Sequence, residues 1–117
     1  MTNPTGLPYT PAVAVSDWVI VSGQLGIRDG VLVPDFAGEV DQALANLRDR
    51  LAEHGLGLEH VVKTTCFLAD LDQFGEFNER YAAAFVEPRP ARSAFQVARL
   101  PLDANVEVEA WAHRDRA

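Results

Sequence analysis

The amino-acid sequence predicts an α+β layer in which two helices pack on one face of a mixed β-sheet. Three observations carry that expectation. Val40, Leu44, Leu47 and Leu51 form a single apolar stripe at helical spacing, with Glu39, Asp41, Arg48 and Asp49 mainly off it. Phe74, Phe77, Asn78, Tyr81 and Phe85 share a second helical face further along the chain. Each helix follows its own β-prone segment and two more such segments close the chain, giving the order β-β-β-α-β-α-β-β.

Each element has a local reason. Residues 1–8, "MTNPTGLP", hold two prolines and a glycine without periodicity and read as an N-terminal arm. Val13 and Val15 alternate with small residues, Ser16 and Asp17 turn, and "WVIVSG" is a second strand. Asp29-Gly30, between short β-prone flanks, supplies the positive φ values of a two-residue hairpin turn. Asp35 is the candidate N-cap of the first helix and Gly55 its stop. "HVVKTTCFLAD" is β-branched and nearly continuous, as in a strand covered on at least one face. Asp70 or Asp72 opens the second helix and Pro88 ends it. "ARSAFQVARL" and "NVEVEAWAH" are the last two strands.

The final strand raises a question about the face without helices. Val106, Val108 and Ala110 point one way, and Glu107, Glu109 and Trp111 the other. The first set suits the helices. The second mixes two carboxylates with a large ring, unlike a plainly solvated face, and points to another subunit on that side.

A length of 117 residues predicts one domain with a real core. The formal net charge of -7 argues against broad binding to nucleic acid or anionic membrane, since both need a cationic footprint. With Cys66 the only cysteine, no internal disulfide forms. No start segment carries a charged region followed by an apolar one, and no apolar run approaches membrane-spanning length, so the default compartment is a reduced cytoplasm.

The candidate chemistry is sparse. His54, His60 and His113 are scattered without ligand spacing, so no metal site is expected. His54 falls in the last turn of the first helix, where a cation suits the helix dipole. Cys66 sits inside an apolar strand and reads as packing. "SGQLG", from Ser22, lacks the spacing of a phosphate-binding loop or a nucleophile elbow, although Ser22 has a hydrogen bond to give. The charged candidates are Arg92, Arg99, Glu107 and Glu109. Arginine presents a planar fork that grips a carboxylate at two points, and a nearby glutamate handles a proton or orients a water. Spacing alone leaves Arg92 open between a surface ion pair and a ligand grip, and Glu107 between a solvated strand residue and a base.

At these residues the sequence resembles the Rid/YjgF family, the reactive-intermediate enamine/imine deaminases. The resemblance runs from about Pro8 to Trp111 through "PYTPAV", "VSGQLG", "VVKTTCFLADLDQFGEFNERYAAAF" and "PARSAFQVARLPLDANVEVEAWA", in order. It implies one Rid-like domain over residues 1–117, with a chorismate-mutase-like sandwich fold, a homotrimer, and ligand sites in clefts between subunits. It implies that Arg92, in P-A-R-S, binds the substrate carboxylate and that Glu107 activates or positions water. Tyr9, of the P-Y pair, lines the pocket, and Ser22 and Asn78 stand at its wall. Three positions depart from the family pattern. Ala94 stands where a cysteine is frequent, leaving a backbone contact but no thiol. Leu7 replaces a common glycine and Pro11 a frequent glutamine, both at the cleft mouth. Glu109 and Arg99 remain structural or interfacial.

The implied reaction is hydrolytic deamination of 2-imino acids, or of 2-aminoacrylate-type enamines, to 2-oxo acids and ammonium. No metal or organic cofactor is needed, because an iminium carbon is already electrophilic. Some relatives bind small carboxylates without turnover, act as chaperones or are described as ribonucleases. The acidic balance argues against RNA here.

Overall fold

The computed structural model describes residues 6–117; residues 1–5 of the expected arm lie outside the described residues, and residues 6–8 hold no helix or strand. A first strand, β1 (Ala12–Val15), turns through Ser16 into β2 (Trp18–Leu25). Ser16 takes a φ of 52°, the left-handed conformation this tight reversal requires. The expected Asp29-Gly30 hairpin is present as two short strands, β3 (Ile27–Arg28) and β4 (Val31–Leu32), paired in a small sheet of their own, so four strands precede the first helix where the sequence predicts three: both arms of the turn pair, not one. Asp29 and Gly30 have φ of 54° and 84°, the positive pair of a two-residue turn.

Helix α1 (Phe36–Ala52) begins as its sequence dictates. Asp35 Oδ1 accepts from the Gly38 amide at 2.6 Å, satisfying an otherwise orphaned donor. Beyond its end, Gly55 at φ 75° lets the Leu56 amide reach back to the Leu51 carbonyl at 3.0 Å. His54 lies just past this helix, in the turn that follows its cap, Glu53. Strand β5 (Val61–Leu68) follows, then a short 3-10 turn in which Asp70 Oδ1 accepts from the Asp72 amide. Helix α2 (Phe74–Ala84) starts only after this turn and ends before Pro88. β6 (Ala91–Gln96) and β7 (Val106–His113) complete the chain.

The main sheet has the order β1-β2-β7-β5-β6. Only β5 and β6 run parallel, because α2 carries the chain back across the sheet between them. Both helices lie on one face. There Val40, Leu44, Leu47 and Leu51 of α1 meet Val19 and Val21 of β2 and Val106, Val108, Ala110 and Ala112 of β7, all buried. Each such aliphatic side chain contributes roughly 1.5–3 kcal/mol relative to exposure.

Glu39 departs from the expectation that it sits off the apolar stripe: it is only 2 % exposed. Its carboxylate is fully engaged, accepting from the Asn105 amide at 2.7 Å, from Asn105 Nδ2 at 2.9 Å and from the Val106 amide at 3.3 Å. Burial of a charge is tolerable under such satisfaction.

The other face has no helices. It carries Val13, Val15, Phe95 and Trp111, all more than two-fifths exposed, together with Glu107 and Glu109. Trp18 stands edge-on to Trp111 at 6.0 Å, and Phe67 to Phe95 at 5.2 Å.

Candidate functional site

β6 is an edge strand, and its register decides where Arg92 points. Arg92 is level with Thr64 on β5, and Thr64 with Ala110 on β7; both neighbours are buried toward the helices. Arg92 therefore leans onto α2. Its guanidinium carbon lies 4.9 Å from the Tyr81 ring centre, 5.2 Å from Phe74 and 5.9 Å from Phe77. The negative faces of aromatic rings suit a cation at these distances. Asn78 Oδ1 accepts from Arg92 Nη1 at 2.8 Å. Among the described residues Arg92 has no carboxylate partner, and its Nε and Nη2 make no hydrogen bond. One edge of the fork is thus held while the other is available.

The rings themselves are pinned. Tyr81 and Thr64 hydroxyls share a buried hydrogen bond of 2.7 Å, and burial pushes the Tyr81 phenol up from its ordinary value. Cys66, next on the same face, is buried and its thiol is pushed up to about 11, chiefly by desolvation, so it stays protonated and inert at neutral pH. Ala94 is level with Cys66 and packs against the core.

Glu107 occupies the opposite face of the sheet, three residues along β7 from Ala110. It is half-buried, and burial raises its carboxyl above the ordinary value, with the Glu109 charge adding to the effect. Beside it β2 bulges. Val21 pairs with Ala110 and Gln24 with Val108, so Ser22 and Gly23 span the irregularity. A Cβ on Gly23 would come within 2.6 Å of Glu107 Cδ and 2.7 Å of Oε2, so the carboxyl fills space that only glycine leaves. Ser22 Oγ donates to the Thr10 carbonyl at 2.7 Å, and Pro11 O accepts from the Ser22 amide at 2.9 Å. These bonds tie the segment carrying Tyr9 to the bulge; Tyr9 itself is 42 % exposed.

The expected residues thus form two groups. Arg92, Asn78 and Ala94 belong to the helix side at the β6 edge; Glu107 belongs to the far side of the sheet, with Ser22 in the bulge beside it and the Tyr9 segment tied to that bulge through Thr10. Within one chain the groups do not meet. Two recesses, one of about 180 Å3 beside Leu58, Phe85 and Pro88 and one of about 320 Å3 between α1 and α2, contain neither Arg92 nor Glu107.

Gly23, Phe74, Phe77 and Tyr81 went unassigned to the site by sequence reasoning. Helical spacing puts the rings on one face with Asn78, and the asparagine among them is the signal. Arg99 pairs with Asp103 at 2.7 Å, both exposed. Asp17, His113 and Asp115 bring ligand-type atoms within 4.8 Å of one another. His113 Nδ1 there accepts from the Asp115 amide, and the ring packs edge-on against Trp18. Among the described residues, no helix is long and apolar enough to cross a membrane.

Residues 2–114 match the family described as endoribonuclease L-PSP. The chain is similar to a 2-iminobutanoate/2-iminopropanoate deaminase of Mus musculus, 45% identical over 108 residues covering 90% of this chain and 80% of the mouse protein. Among solved structures, it superposes on E. coli TdcF with bound serine with a TM-score of 0.89 at 34% identity, covering 92% of this chain and 89% of the other. RidA from an Antarctic Psychrobacter gives a TM-score of 0.90 at 36% identity, covering 92% and 89%.

Proposed function

Because the chain belongs to the Rid/YjgF family, we propose that it hydrolyses 2-imino acids and their enamine tautomers to 2-oxo acids and ammonium, at sites assembled between subunits. The chain is a deaminase, acting on C=N bonds by addition of water. The observation that carries the residue assignment is the Arg92 guanidinium: ringed by Phe74, Phe77 and Tyr81, anchored by Asn78, and without a carboxylate of its own among the described residues. Its unbonded Nε–Nη2 edge fits a substrate carboxylate at two points, a contact worth about 1.5–3 kcal/mol. The serine bound to TdcF is a ligand with such a carboxylate.

Docking on Arg92 sets the imine carbon, next to the carboxylate, at a fixed distance from the guanidinium. Glu107 accepts a proton from water as its oxygen adds to that carbon. The C=N bond becomes a C–N single bond in a tetrahedral carbinolamine. With the substrate as its iminium, Glu107 returns the proton to the nitrogen, the C–N bond breaks as the hydroxyl oxygen becomes the carbonyl of the 2-oxo acid, and the hydroxyl proton passes by way of Glu107 to the departing ammonia, which leaves as ammonium. A carboxyl raised by burial is a stronger base than an exposed one, which suits this exchange. Tyr9, Ser22 and the Ala94 backbone line the cleft.

Arg92 and Glu107 lie on opposite faces of one sheet, so a site using both takes them from different protomers. The exposed Val13, Val15, Phe95 and Trp111 give the helix-free face the apolar character of an interface, and a closed homotrimer pairs each chain's Arg92 edge with a neighbour's Glu107 face. Each protomer is a single domain over residues 1–117.

The test generates 2-iminopropanoate with an amino-acid oxidase in the presence of semicarbazide. The protein competes for the imine and lowers the semicarbazone yield. An unchanged yield, with a keto acid still raising the melting temperature, identifies a carboxylate-binding protein without turnover instead.

A further inference from the structure

We infer that Glu39 is a positioning residue for Glu107, holding the first residues of β7 in place of a missing strand partner. The inference rests on the deaminase reading above. Pairing between β2 and β7 stops at Leu25 and Glu107. Beyond Leu25 the chain leaves for the β3–β4 hairpin, and the Gly26 carbonyl accepts from the Val33 amide instead of from β7. The Val106 amide, one residue before Glu107, therefore lacks the carbonyl a longer β2 would supply, and the Asn105 amide lies outside β7, where no strand carbonyl is given to it. The Glu39 carboxylate accepts from both, and from the Asn105 side chain as well.

The neighbourhood is shaped around this reach. A Cβ on Gly26 would run into the Glu39 backbone carbonyl and lie 2.6 Å from Glu39 Cγ, so the chain just past β2 approaches Glu39 where only a glycine stands. The turn that delivers the chain to Asn105 is strained: Leu102 and Asp103 both take left-handed conformations, at φ of 59° and 55°. A strained turn leading straight into a strand end needs a fixed far side, and the Asn105–Glu39 bonds provide one. Two glycines of one motif thus each make room for a glutamate. Gly23 leaves room for Glu107, and Gly26 admits the residue that fixes Glu107's strand. Arg92 stands on the other side of the sheet at its edge, so loosening this clamp disturbs the water-handling half of the site and leaves the carboxylate grip alone.

The experiment uses the full chain and 2-iminopropanoate made in situ. Glu39→Ala lowers kcat by about tenfold or more, as small misplacements of a reacting group do, while KM and the melting shift given by pyruvate stay within about twofold of wild type. Glu39→Gln restores kcat, because its Oε1 accepts from both backbone amides and its amide group donates to a turned Asn105 Oδ1. Should Glu39→Ala fail to fold, Glu39→Asp takes its place: it keeps the charge, withdraws the carboxylate by one methylene, and lowers kcat in the same way. A folded Glu39→Ala or Glu39→Asp with wild-type kcat overturns the inference, as does a loss in KM and kcat alike that Gln fails to rescue. If wild-type protein leaves the imine untouched, it is the deaminase reading that falls, and faster hydrogen exchange confined to the Asn105, Val106 and Glu107 amides in Glu39→Asp then supports the clamp, whereas unchanged exchange overturns it.

Discussion

Arg92 and Glu107 stand on opposite faces of the same sheet, separated by β5. Arg92 is level with the buried Thr64, and Glu107 with the half-buried Phe67 on the other side. No rotamer carries either side chain through a packed sheet, so any site that uses both is shared between protomers. Co-expressing Arg92→Ala with Glu107→Gln tests this directly. Each variant alone is inactive in imine hydrolysis. On the proposed inter-subunit site, random mixing of the two chains rebuilds intact sites from one chain's Arg92 and another's Glu107, and activity returns to about a quarter of wild type. Mixed protein with no recovered activity places both residues' work within one chain.

The pH dependence of stability follows from the raised Glu107 carboxyl. The folded protein holds this proton more tightly than the unfolded chain does, where the ordinary value is 4.5. The group's favourable contribution is present below that value and is lost as pH rises through the higher folded-state value. At pH 7 the buried carboxylate therefore opposes folding. Glu107→Gln raises the melting temperature at pH 7, and the gain disappears as the pH falls below the ordinary carboxylate range. A melting temperature lowered by the substitution at pH 7 contradicts burial as the cause.

Glu109 is the second cause of the same shift. Removing its charge in Glu109→Gln lowers the Glu107 carboxyl toward its ordinary value. The acid limb of the kcat/KM profile for 2-iminopropanoate then moves to lower pH, with the neutral-pH rate changed far less than in Glu107→Gln. A limb that stays in place assigns it to another group.

Gly23→Ala puts a methyl group where the Glu107 carboxyl lies. Gly23 is not among the positive-φ glycines, so its backbone tolerates alanine and the fold persists by circular dichroism. The carboxyl is displaced, and kcat falls by about a hundredfold. Full activity in the variant means Glu107 does its work from a different rotamer.

Tyr81 separates packing from ligand binding. Tyr81→Phe breaks the hydroxyl pair with buried Thr64 and costs about 1 kcal/mol in urea unfolding, yet keeps the ring beside Arg92 and leaves KM unchanged. Tyr81→Leu removes the ring as well and raises KM. Equal KM values in the two variants argue that the ring does not hold the guanidinium.

By itself the sequence determined both helices, the strands of the main sheet and the motif-bearing residues, but not that the Asp29-Gly30 hairpin adds a strand on each side of its turn. The Leu44–Leu47–Leu51 stripe, the Asp35 cap, the Asp29-Gly30 turn and the alternation of Val106, Val108 and Ala110 are short-range patterns, and local chemistry is enough to form them. It also brought Arg92, Arg99, Glu107 and Glu109 forward as charged candidates, while spacing alone left Arg92 and Glu107 open between structural and chemical roles. Only the tertiary structure decided how these are arranged. β6 alternates Arg92, Ala94 and Gln96 with Ala91, Ser93 and Phe95, and neither set is apolar enough to declare which faces the helices. That was settled by pairing with β5, whose own face depends on a register irregularity at Val62. Nor does helical spacing reveal that Glu39 turns inward, because its partners Asn105 and Val106 lie more than sixty residues away. Side-chain parity passes from strand to strand through long-range pairing and bulges, and a one-residue slip inverts it. The faces of the sheet, and so the separation of Arg92 from Glu107, therefore exist only once the whole sheet has closed.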